Sequence, residues 1–557
     1  MSSSVRRRAV AASRKPAEDE VREKEAPVEQ HLEMDAGTYW LTRIVFTRSI
    51  GFVYLVAFLV ALNQNKELIG ANGLLPIPVF YSRIRTALEV PANSTVTMDA
   101  FLKGPSLFWW ISEHYVDLTL DLVAYLGISL SAILLFLGSG NVLIFVVLRV
   151  LYHSLVFVGQ IWYAFGWEVQ LLEIGFLALI MVPLFSLRQF PRGTPTPWVA
   201  VWANRWLLFR IMIGAGLIKI RGDECWGDLT CMDYHYETQP VPNPLSYFLH
   251  QSPAFVHKLE TLGNHFVELV VPFLIFLPRP FRLTCGVVQI IFQVMLILSG
   301  NLSFLNWLTI LSAIFCFDDL SLQWLFSAAT KEKVVQLQQE AKKETAKPLG
   351  YYVRQVSNVG VALLLGYLSI PVVLNLLSQH QVMNTSFNSL KIVNTYGAFG
   401  SVTKSRTEVV LEGTFSSDPG PNASWLEIEF KCKPGRTDRR PCIISPYHYR
   451  LDWMMWFAAF QDYNNNPWLV HLAAKIVSED PSVESLVEHN PFRNKPPKFI
   501  RAQHYQYTYA RLGSKAADEG HWWERKLIGP YIPVVAKEHL QKVAKQQGWT
   551  WYNKTKS

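Results

Sequence analysis

The chain has 557 residues, of which half are hydrophobic and 17% are charged, and its formal net charge is +8. Its apolar residues come in long stretches, and this excludes an ordinary soluble protein. The lysines and arginines lie in short loops and tails and form no continuous patch on a recognisable nucleic-acid-binding fold, so no nucleic-acid partner is indicated.

Residues 1–40 are polar, and Arg6, Arg7, Arg8, Arg14 and Lys15 precede the first apolar stretch. This tail lacks the short apolar segment and small-residue cleavage site of a secretory signal peptide, so we expect it to be disordered and the first span to act as the insertion signal. The positive-inside rule places this end of the chain in the cytosol.

Apolar stretches of the size needed to cross a bilayer, roughly 20 residues, recur through residues 41–378. Three of them, 206–220, 266–277 and 304–317, are short, so the sequence predicts five to nine crossings, and we expect an odd number. The nine segments are 44–62, 118–137, 142–165, 169–187, 206–220, 266–277, 283–298, 304–317 and 355–377.

The loops between these segments alternate in character. If all nine segments cross, the basic clusters lie in the cytosol, including the loop 318–354, and the loops 63–117 and 221–265 lie in a secretory lumen. Every Asn-x-Ser/Thr glycosylation sequon then falls on the lumenal side. Asn301 is the weakest candidate because it lies at a helix end near the bilayer. The basic residues are Arg188, Arg192, Arg205, Arg279, Arg282 and the run 331–347, and the sequons begin at Asn93, Asn301, Asn384, Asn422 and Asn553.

The six cysteines suit an oxidising compartment. Cys225 and Cys231 share one predicted lumenal loop, and Cys432 and Cys442 flank the turn-rich stretch KPGRTDRRP, so we predict two local disulfides. Cys285 and Cys316 lie in apolar segments and are predicted to be free and buried. A redox or metal-binding role for the first pair is the alternative, although the spacing is not C-x-x-C.

Residues 379–557 are predicted to form a lumenal, β-rich α+β domain that follows the helical multi-pass body. The stretches 390–395, 407–414, 425–431 and 499–509 have strand character, whereas the residues from 449 to about 492 show helical spacing. In the cytosolic loop, the spacing of acidic and basic residues from Lys331 onward favours an exposed helix.

The helical segment LDWMMWFAAF is apolar around most of its circumference, so it must be covered by protein core, by a partner, or by a membrane surface. Trp453 and Trp456 are three residues apart and share a predicted face with Phe460. We regard these three residues as the candidate client-binding surface, because exposed rigid aromatic side chains anchor interfaces.

The block SPYHYRLDWMMWFAAF (445–460), with FKCKPG before it and HNPF after it, resembles the lipase maturation factor family. HYQYTYAR, WWERK and IGPYIPVV extend the similarity toward the C-terminus, and ANGLLP and GAGLIKIRGDECWGDLTCMDYHYETQPVPNPLSYFLH extend it into the body. The resemblance implies an endoplasmic reticulum membrane protein that helps dimeric lipases, such as lipoprotein lipase and hepatic lipase, to mature. It implies client lipases as partners, with other quality-control proteins of that compartment as further candidates, and it implies neither a reaction nor a cofactor.

A membrane-embedded enzyme is the alternative hypothesis, because ionisable residues in a membrane are costly. Gln160, Glu173, Lys219 and Glu268 fall near predicted lumenal helix ends and are expected to converge on one polar pocket. The body also resembles, more distantly, the membrane region of vitamin K-dependent γ-carboxylase, where a lysine acts as a base; fold alone does not carry function. The alternative role for Lys219 is an ion pair with Glu173 or Glu268 that holds helices together.

Other functional signatures are weak. The sequence contains no G-x-S-x-G, H-E-x-x-H, Walker or dinucleotide-binding motif, and no internal repeat of the kind seen in transporters. Asp233, His235 and Glu237 alternate in a predicted extended loop, an arrangement that is usually solvated polarity. We therefore predict no metal and no cofactor.

Overall fold

The computed structural model describes residues 33–90, 96–191, 193–343, 349–547 and 549. Most of the predicted disordered tail lies outside these residues. The end of that tail does not fit the prediction, because Met34 is buried and Gln338 hydrogen-bonds to the backbone of Asp35.

The body is helical. Its helices, in chain order, are α1 (Trp40–Ile69), α2 (Ile77–Ala87), α3 (Met98–Lys103), α4 (Val116–Leu137), α5 (Val142–Val158), α6 (Gly166–Met181), α7 (Trp198–Ile220), α8 (Glu224–Gly227), α9 (Met232–Thr238), α10 (Pro244–His250), α11 (Ala254–Leu269), α12 (Arg279–Ser299), α13 (Leu305–Ala313), α14 (Asp319–Leu322), α15 (Ala328–Lys343) and α16 (Leu349–Leu377).

Within the described residues, six helices are long and apolar enough to cross a membrane, and a bent helix pair after residue 304 makes a seventh candidate. This confirms the predicted multi-pass class. Two segments that looked short, 206–220 and 266–277, are the ends of longer helices, since α7 begins at Trp198 and α11 continues as a 3-10 turn to Phe276. Conversely, α5 and α6 have only 17 and 16 residues. The helical conformation is interrupted at Gln160, whose φ is positive, and α6 ends at Met181, before Pro183.

One end of the body gathers the loops predicted to be cytosolic. The Asp319 carboxylate accepts hydrogen bonds from the backbone amides at the start of α1, and the Arg279 guanidinium is 2.6 Å from Asp318. Arg43 donates to backbone carbonyls of the loop after α6, and Arg354 near the start of α16 donates to the same loop.

The loops predicted to be lumenal meet at the opposite end. Gln64 near the end of α1, Trp162 after α5 and Asn301 after α12 all hydrogen-bond to residues of the C-terminal part, and Arg221 after α7 donates to Leu376 at the end of α16. Along the described residues, nine helical segments therefore run alternately between the two ends: α1, α4, α5, α6, α7, α11, α12, α13 and α16. The structure supports the predicted alternation of loops, while the compartment at each end stays a prediction.

The helix α15 differs from the predicted exposed helix. Val334, Val335 and Leu337 are buried and form a small cluster with Trp40 and Leu41 at the start of α1. The acidic and basic residues identified in the sequence occupy only one face of this helix, and its apolar residues pack against the body.

The C-terminal part contains strands and helices, as predicted. A four-stranded antiparallel sheet has the order β2-β1-β5-β6, and β3 pairs with β4 separately. The elements are β1 (Arg406–Thr414), β2 (Leu426–Glu427), β3 (Glu429–Phe430), α17 (Arg450–Ala458), α18 (Pro467–Val477), α19 (Val483–Leu486), β4 (Val487–His489), β5 (Phe499–Tyr509), α20 (Lys515–Asp518), β6 (Trp523–Ala536) and α21 (Lys537–Gln546).

One strand prediction was confirmed only in part, and another was wrong. The stretch 425–431 is divided at Ile428 into β2 and β3, which pair with different partners. The stretch 390–395 is an irregular segment against α5, α6 and α7, where Asn394 hydrogen-bonds to Glu173 and Leu390 accepts a hydrogen bond from Arg149. Hydrogen bonds to side chains of the body thus take the place of the strand pairing that the alternating sequence pattern predicted.

Candidate functional site

The helix α17, which contains the LDWMMWFAAF motif, lies at the junction between the C-terminal part and the body. Trp453 is 5% exposed, and its ring centroid is 4.8 Å from that of Trp167 and 5.6 Å from that of Phe165. Of the three explanations for this apolar segment, core packing therefore holds for Trp453. The prediction that Trp453 offers a surface to clients was wrong, because the start of α6 covers it.

A buried ion pair anchors the start of α17. The Arg450 guanidinium lies 2.7 Å from the Glu168 carboxylate, with both side chains fully buried, and it also donates to the Trp162 carbonyl at 2.6 Å. Burial acts to lower the pKa of Arg450, but the Glu168 carboxylate and two nearby tyrosine hydroxyls together outweigh burial and raise it. Gln64 accepts a hydrogen bond from the Arg450 backbone amide at 2.9 Å, so this residue ties α17 to three segments of the body.

Two further buried side chains continue this junction. Arg406 in β1 pairs with Glu408 at 2.6 Å and donates to the Glu237 and Pro240 carbonyls. Asn301 donates to the Cys442 carbonyl at 2.9 Å. The junction is therefore closed by charge-assisted and amide hydrogen bonds as well as by apolar packing, which holds α17 in a defined position.

The C-terminal end of α17 carries an exposed aromatic patch formed by Trp456, Phe457 and Phe460. Phe457 is 37% exposed and Phe460 is 42% exposed, while Trp456 is half-buried and donates from its indole to the Thr238 carbonyl at 2.9 Å. The Trp456 ring centroid lies 4.8 Å from that of Phe457 and 4.7 Å from that of Phe460. The sequence prediction did not include Phe457, although this residue is one helical turn after Trp453. The helix ends at Ala458, and the chain turns so that the Phe460 amide donates to the Phe457 carbonyl.

The four predicted polar-pocket residues do not converge. Lys219 and Glu268 form a buried ion pair at 2.6 Å, with Asn264 bridging them, and both line a cavity in the body. This is the ion-pair alternative, with Glu268 as the partner. Gln160 lies elsewhere and donates to the Leu75 carbonyl.

Glu173 forms a separate buried cluster. It pairs with Arg210 and accepts hydrogen bonds from Asn394 and from the Tyr396 hydroxyl, the latter at 2.7 Å. The Arg210 guanidinium is therefore held by Glu173 inside the body. The cluster links α6 and α7 to the segment that follows α16.

The structure joins Cys225 to Cys231 and Cys432 to Cys442, with Cα–Cα distances of 4.8 and 5.7 Å. The first bridge closes the turn after α8, beside the buried Trp226, and the second lies close to Asn301 at the junction. Within the part of the chain that is described, Cys285 and Cys316 are free and buried, as the apolar segments around them predicted.

The sequons differ in accessibility. Asn422 and Asn384 are exposed, whereas Asn301 is buried, with its amide nitrogen donating to Cys442 and its oxygen accepting from Ile444. Asn93 and Asn553 lie outside the described residues.

We expect Asn384 and Asn422 to carry glycans and Asn301 to remain unmodified, because the folded junction leaves no access to the Asn301 amide. Enzymatic deglycosylation in heavy-oxygen water converts each occupied asparagine to a mass-labelled aspartate, and peptide mass spectrometry of the purified protein then gives occupancy at every sequon. A labelled Asn301 in properly folded protein would contradict the buried junction, and no label at any site would contradict the lumenal placement.

Asp233, His235 and Glu237 lie on α9, not on an extended loop, and have different partners. Asp233 is 2.8 Å from His257, Glu237 is 3.3 Å from His250, and His235 packs edge-on against Phe399. Burial lowers the pKa of His235 to about 4, with a smaller contribution from Lys219, so its imidazole is neutral. Among the described residues, no group of three or more His, Cys, Asp or Glu side chains is arranged to hold a metal ion.

Known protein families and individual proteins match this chain along nearly its whole length. The family model described as the lipase maturation factor transmembrane domain matches residues 41–324, and that of the lipase maturation factor C-terminal domain matches residues 392–533. Lipase maturation factor 1 of Bos taurus is 52% identical over 93% of this chain and 92% of its own length, and that of Homo sapiens is 50% identical over 98% and 97%. Lipase maturation factor 2 of Xenopus laevis is 29% identical over 90% and 83%. No solved structure matches the chain.

Proposed function

The chain belongs to the lipase maturation factor family, and we propose that it acts in the endoplasmic reticulum membrane by binding folding lipases without catalysing a reaction. The proposed clients are secreted homodimeric lipases such as lipoprotein lipase and hepatic lipase. The step assisted is the folding and pairing of their subunits.

The observation that carries this proposal is the exposed aromatic patch at the C-terminal end of a helix whose N-terminal part is anchored. Phe457 and Phe460 are exposed, while Trp453 and Arg450 on the same segment are buried against the body. Rigid aromatic side chains give large contact areas at low entropic cost, and prior anchoring reduces the ordering that binding would otherwise require.

A folding lipase exposes apolar surface before its subunits pair, and that surface is prone to aggregate. A small patch held beside the membrane can cover part of this surface and release it when the client subunits pair, because a few aromatic contacts are weaker than a complete subunit interface. Attachment to the membrane keeps the factor where secreted proteins are made.

The alternation of loops between the two ends of the body supports the proposed orientation. The basic loops share the end opposite the C-terminal part, while Asn384, Asn422 and the two disulfides share the end that carries it. We infer a cytosolic N-terminus and a lumenal C-terminal part, which would make the patch accessible to lumenal clients.

The double substitution Phe457→Ser and Phe460→Ser is expected to lower the activity of secreted lipase by about tenfold, equivalent to losing ~1.4 kcal/mol of client binding. The factor's own abundance should remain unchanged, because both side chains are exposed. The measurement is lipase mass and specific activity in the medium of factor-deficient cells that express each variant.

The matched control is Phe387→Ser, which removes a phenylalanine that is 46% exposed outside the patch and should leave lipase activity unchanged. Trp453→Ala serves as a core control and should reduce the abundance of the factor itself. Normal lipase activity with the double variant would instead assign the patch to the membrane surface, and equal losses with Phe387→Ser would exclude a specific client site.

A further inference from the structure

The C-terminal part carries an open polar groove that is separate from the aromatic patch. It lies between β2, the loop after β3, the end of β4 and the start of β6, and its volume is about 860 Å³, the open mouth included. Clefts that hold small ligands usually enclose about 300–1,000 Å³, so the groove has the size of a binding site. The side chains that line it include Trp425, Glu427, Arg436, Asp438, His489 and Arg525.

The carboxylates and guanidiniums on the walls of the groove lie in ion pairs. These pairs are Glu427 with Arg525, Asp438 with Arg436 at 2.6 Å, and Glu429 with Arg439 at 3.5 Å. An anionic or cationic ligand would meet charges that are already compensated, and it would have to draw one partner away from the other. The walls therefore favour a neutral ligand.

The paired groups keep hydrogen-bonding capacity that a ligand can reach. The side chains of Arg436 and Asp438 are 64% and 46% exposed. Arg436 donates to Asp438 from Nε and Nη2, which leaves Nη1 outside this pair, and a carboxylate oxygen with one donor can accept a second hydrogen bond. Donors and acceptors side by side match a ligand with several hydroxyl groups, because each hydroxyl both donates and accepts.

Trp425 adds an apolar surface beside these polar groups. It is half-buried, and the guanidinium carbon of Arg501 lies 4.0 Å from its ring centroid, while Arg501 itself pairs with Glu412 at 2.7 Å. A ring held in this way loses little freedom when a ligand packs against it. The C–H groups on one face of a sugar ring suit such an aromatic surface, since the face of an aromatic ring is electron-rich.

We propose that this groove binds a neutral oligosaccharide. One sugar ring packs against Trp425, and its hydroxyl groups form hydrogen bonds with Arg436 and Asp438. In a secretory lumen the oligosaccharide has two sources: the glycan expected at Asn422, three residues before Trp425, or a glycan on another protein. The site goes beyond client binding by the aromatic patch, and the two can fail independently because sugar binding is measured without a client.

The test uses the full-length protein in lipid nanodiscs and measures the binding of added sugars by saturation-transfer NMR, with empty nanodiscs as the background. The sugars are a neutral oligomannose glycan, chitotriose, and an anionic heparin hexasaccharide. At least one neutral sugar should bind saturably with a Kd below about 1 mM, and heparin should bind more weakly. Tighter binding of heparin would overturn the proposal, because it would show that the arginines are available to an anion.

The variant Asn422→Gln separates the two sources of the sugar. If the groove holds the protein's own glycan, added sugar should bind Asn422→Gln at least tenfold more tightly than the wild type, because it no longer has to displace that glycan. If the ligand is a glycan on another protein, both forms should bind the sugar equally. Absence of saturable neutral-sugar binding to both forms would overturn the proposal.

Two further variants, made together with Asn422→Gln, locate the binding site. Trp425→Leu and Arg436→Ala should each weaken binding of the neutral sugar about tenfold. The matched control is Arg493→Ala, because Arg493 is 71% exposed, lies 3.8 Å from Glu484 and does not line the groove.

The control should bind the sugar as tightly as Asn422→Gln alone. If Trp425→Leu is not monodisperse, the comparison of Arg436→Ala with Arg493→Ala decides the outcome, since both arginines are exposed. Unchanged binding by Arg436→Ala, or an equal loss in Arg493→Ala, would overturn the proposal.

Discussion

Replacing Arg450 with leucine is expected to destabilise the protein by about 3–5 kcal/mol, because it leaves the Glu168 carboxylate buried without its partner. The same change removes the hydrogen bond to the Trp162 carbonyl, so α17 loses two of its ties to the body. The free energy of unfolding can be measured by denaturant titration in detergent micelles, followed by tryptophan fluorescence. Because α17 carries the aromatic patch, secretion of active lipase should fall together with the abundance of the factor.

The matched control is Arg436→Ala. Arg436 pairs with Asp438 at 2.6 Å, but these side chains are 64% and 46% exposed, so the pair should contribute little to stability. A comparable loss of stability for Arg436→Ala and Arg450→Leu would contradict the view that burial makes the Arg450 pair important. A fully stable Arg450→Leu variant would show that the junction does not depend on this ion pair.

The second large effect is expected for Lys219→Met, which leaves Glu268 buried and uncompensated inside the body and should also cost about 3–5 kcal/mol. The double variant Lys219→Met with Glu268→Leu removes both charges and should recover most of this loss, since well-packed apolar residues can replace a buried pair. Abundance, stability in micelles and lipase activity are measured for the single and double variants.

This pair of variants also separates binding from catalysis. If Lys219 serves only to hold α7 and α11 together, the double variant should regain lipase maturation as well as stability. A double variant that is stable and abundant but fails to mature lipases would favour the membrane-enzyme hypothesis, because a lysine base cannot be replaced by methionine. A variant with full activity and no recovery of stability would contradict the structural role assigned to the pair.

Some elements followed directly from local sequence. The segment 118–137 corresponds closely to α4 (Val116–Leu137), and 407–414 and 499–509 correspond to β1 and β5. The cysteine pairs are separated by 6 and 10 residues in the chain, which allows short loops to close. Such features depend on apolar length, on alternation and on chain separation, all of which can be seen without the fold.

Other elements were missed because their polar residues have distant partners. The sequence prediction started the fifth segment at residue 206, but α7 begins at Trp198. Arg205 lies inside this helix, where it is buried and donates to the Phe315 carbonyl at 2.9 Å. The strand β6 was not predicted because Pro530 and Pro533 interrupt its apolar pattern. It is an edge strand whose pairing with β5 shifts register near these prolines, and prolines are tolerated at such positions.

By itself the sequence determined the multi-pass class, the alternation of basic and sequon-bearing loops, and the similarity to a family. Only the tertiary structure decided that Trp453 is core while Phe457 and Phe460 are exposed, and that Lys219 pairs with Glu268 while Glu173 pairs with Arg210. Membrane-spanning length and charge bias are local properties of the chain. The burial of a side chain depends on partners far away in sequence, and Arg450 and Glu168, 282 residues apart, meet only because the C-terminal part folds back onto the body.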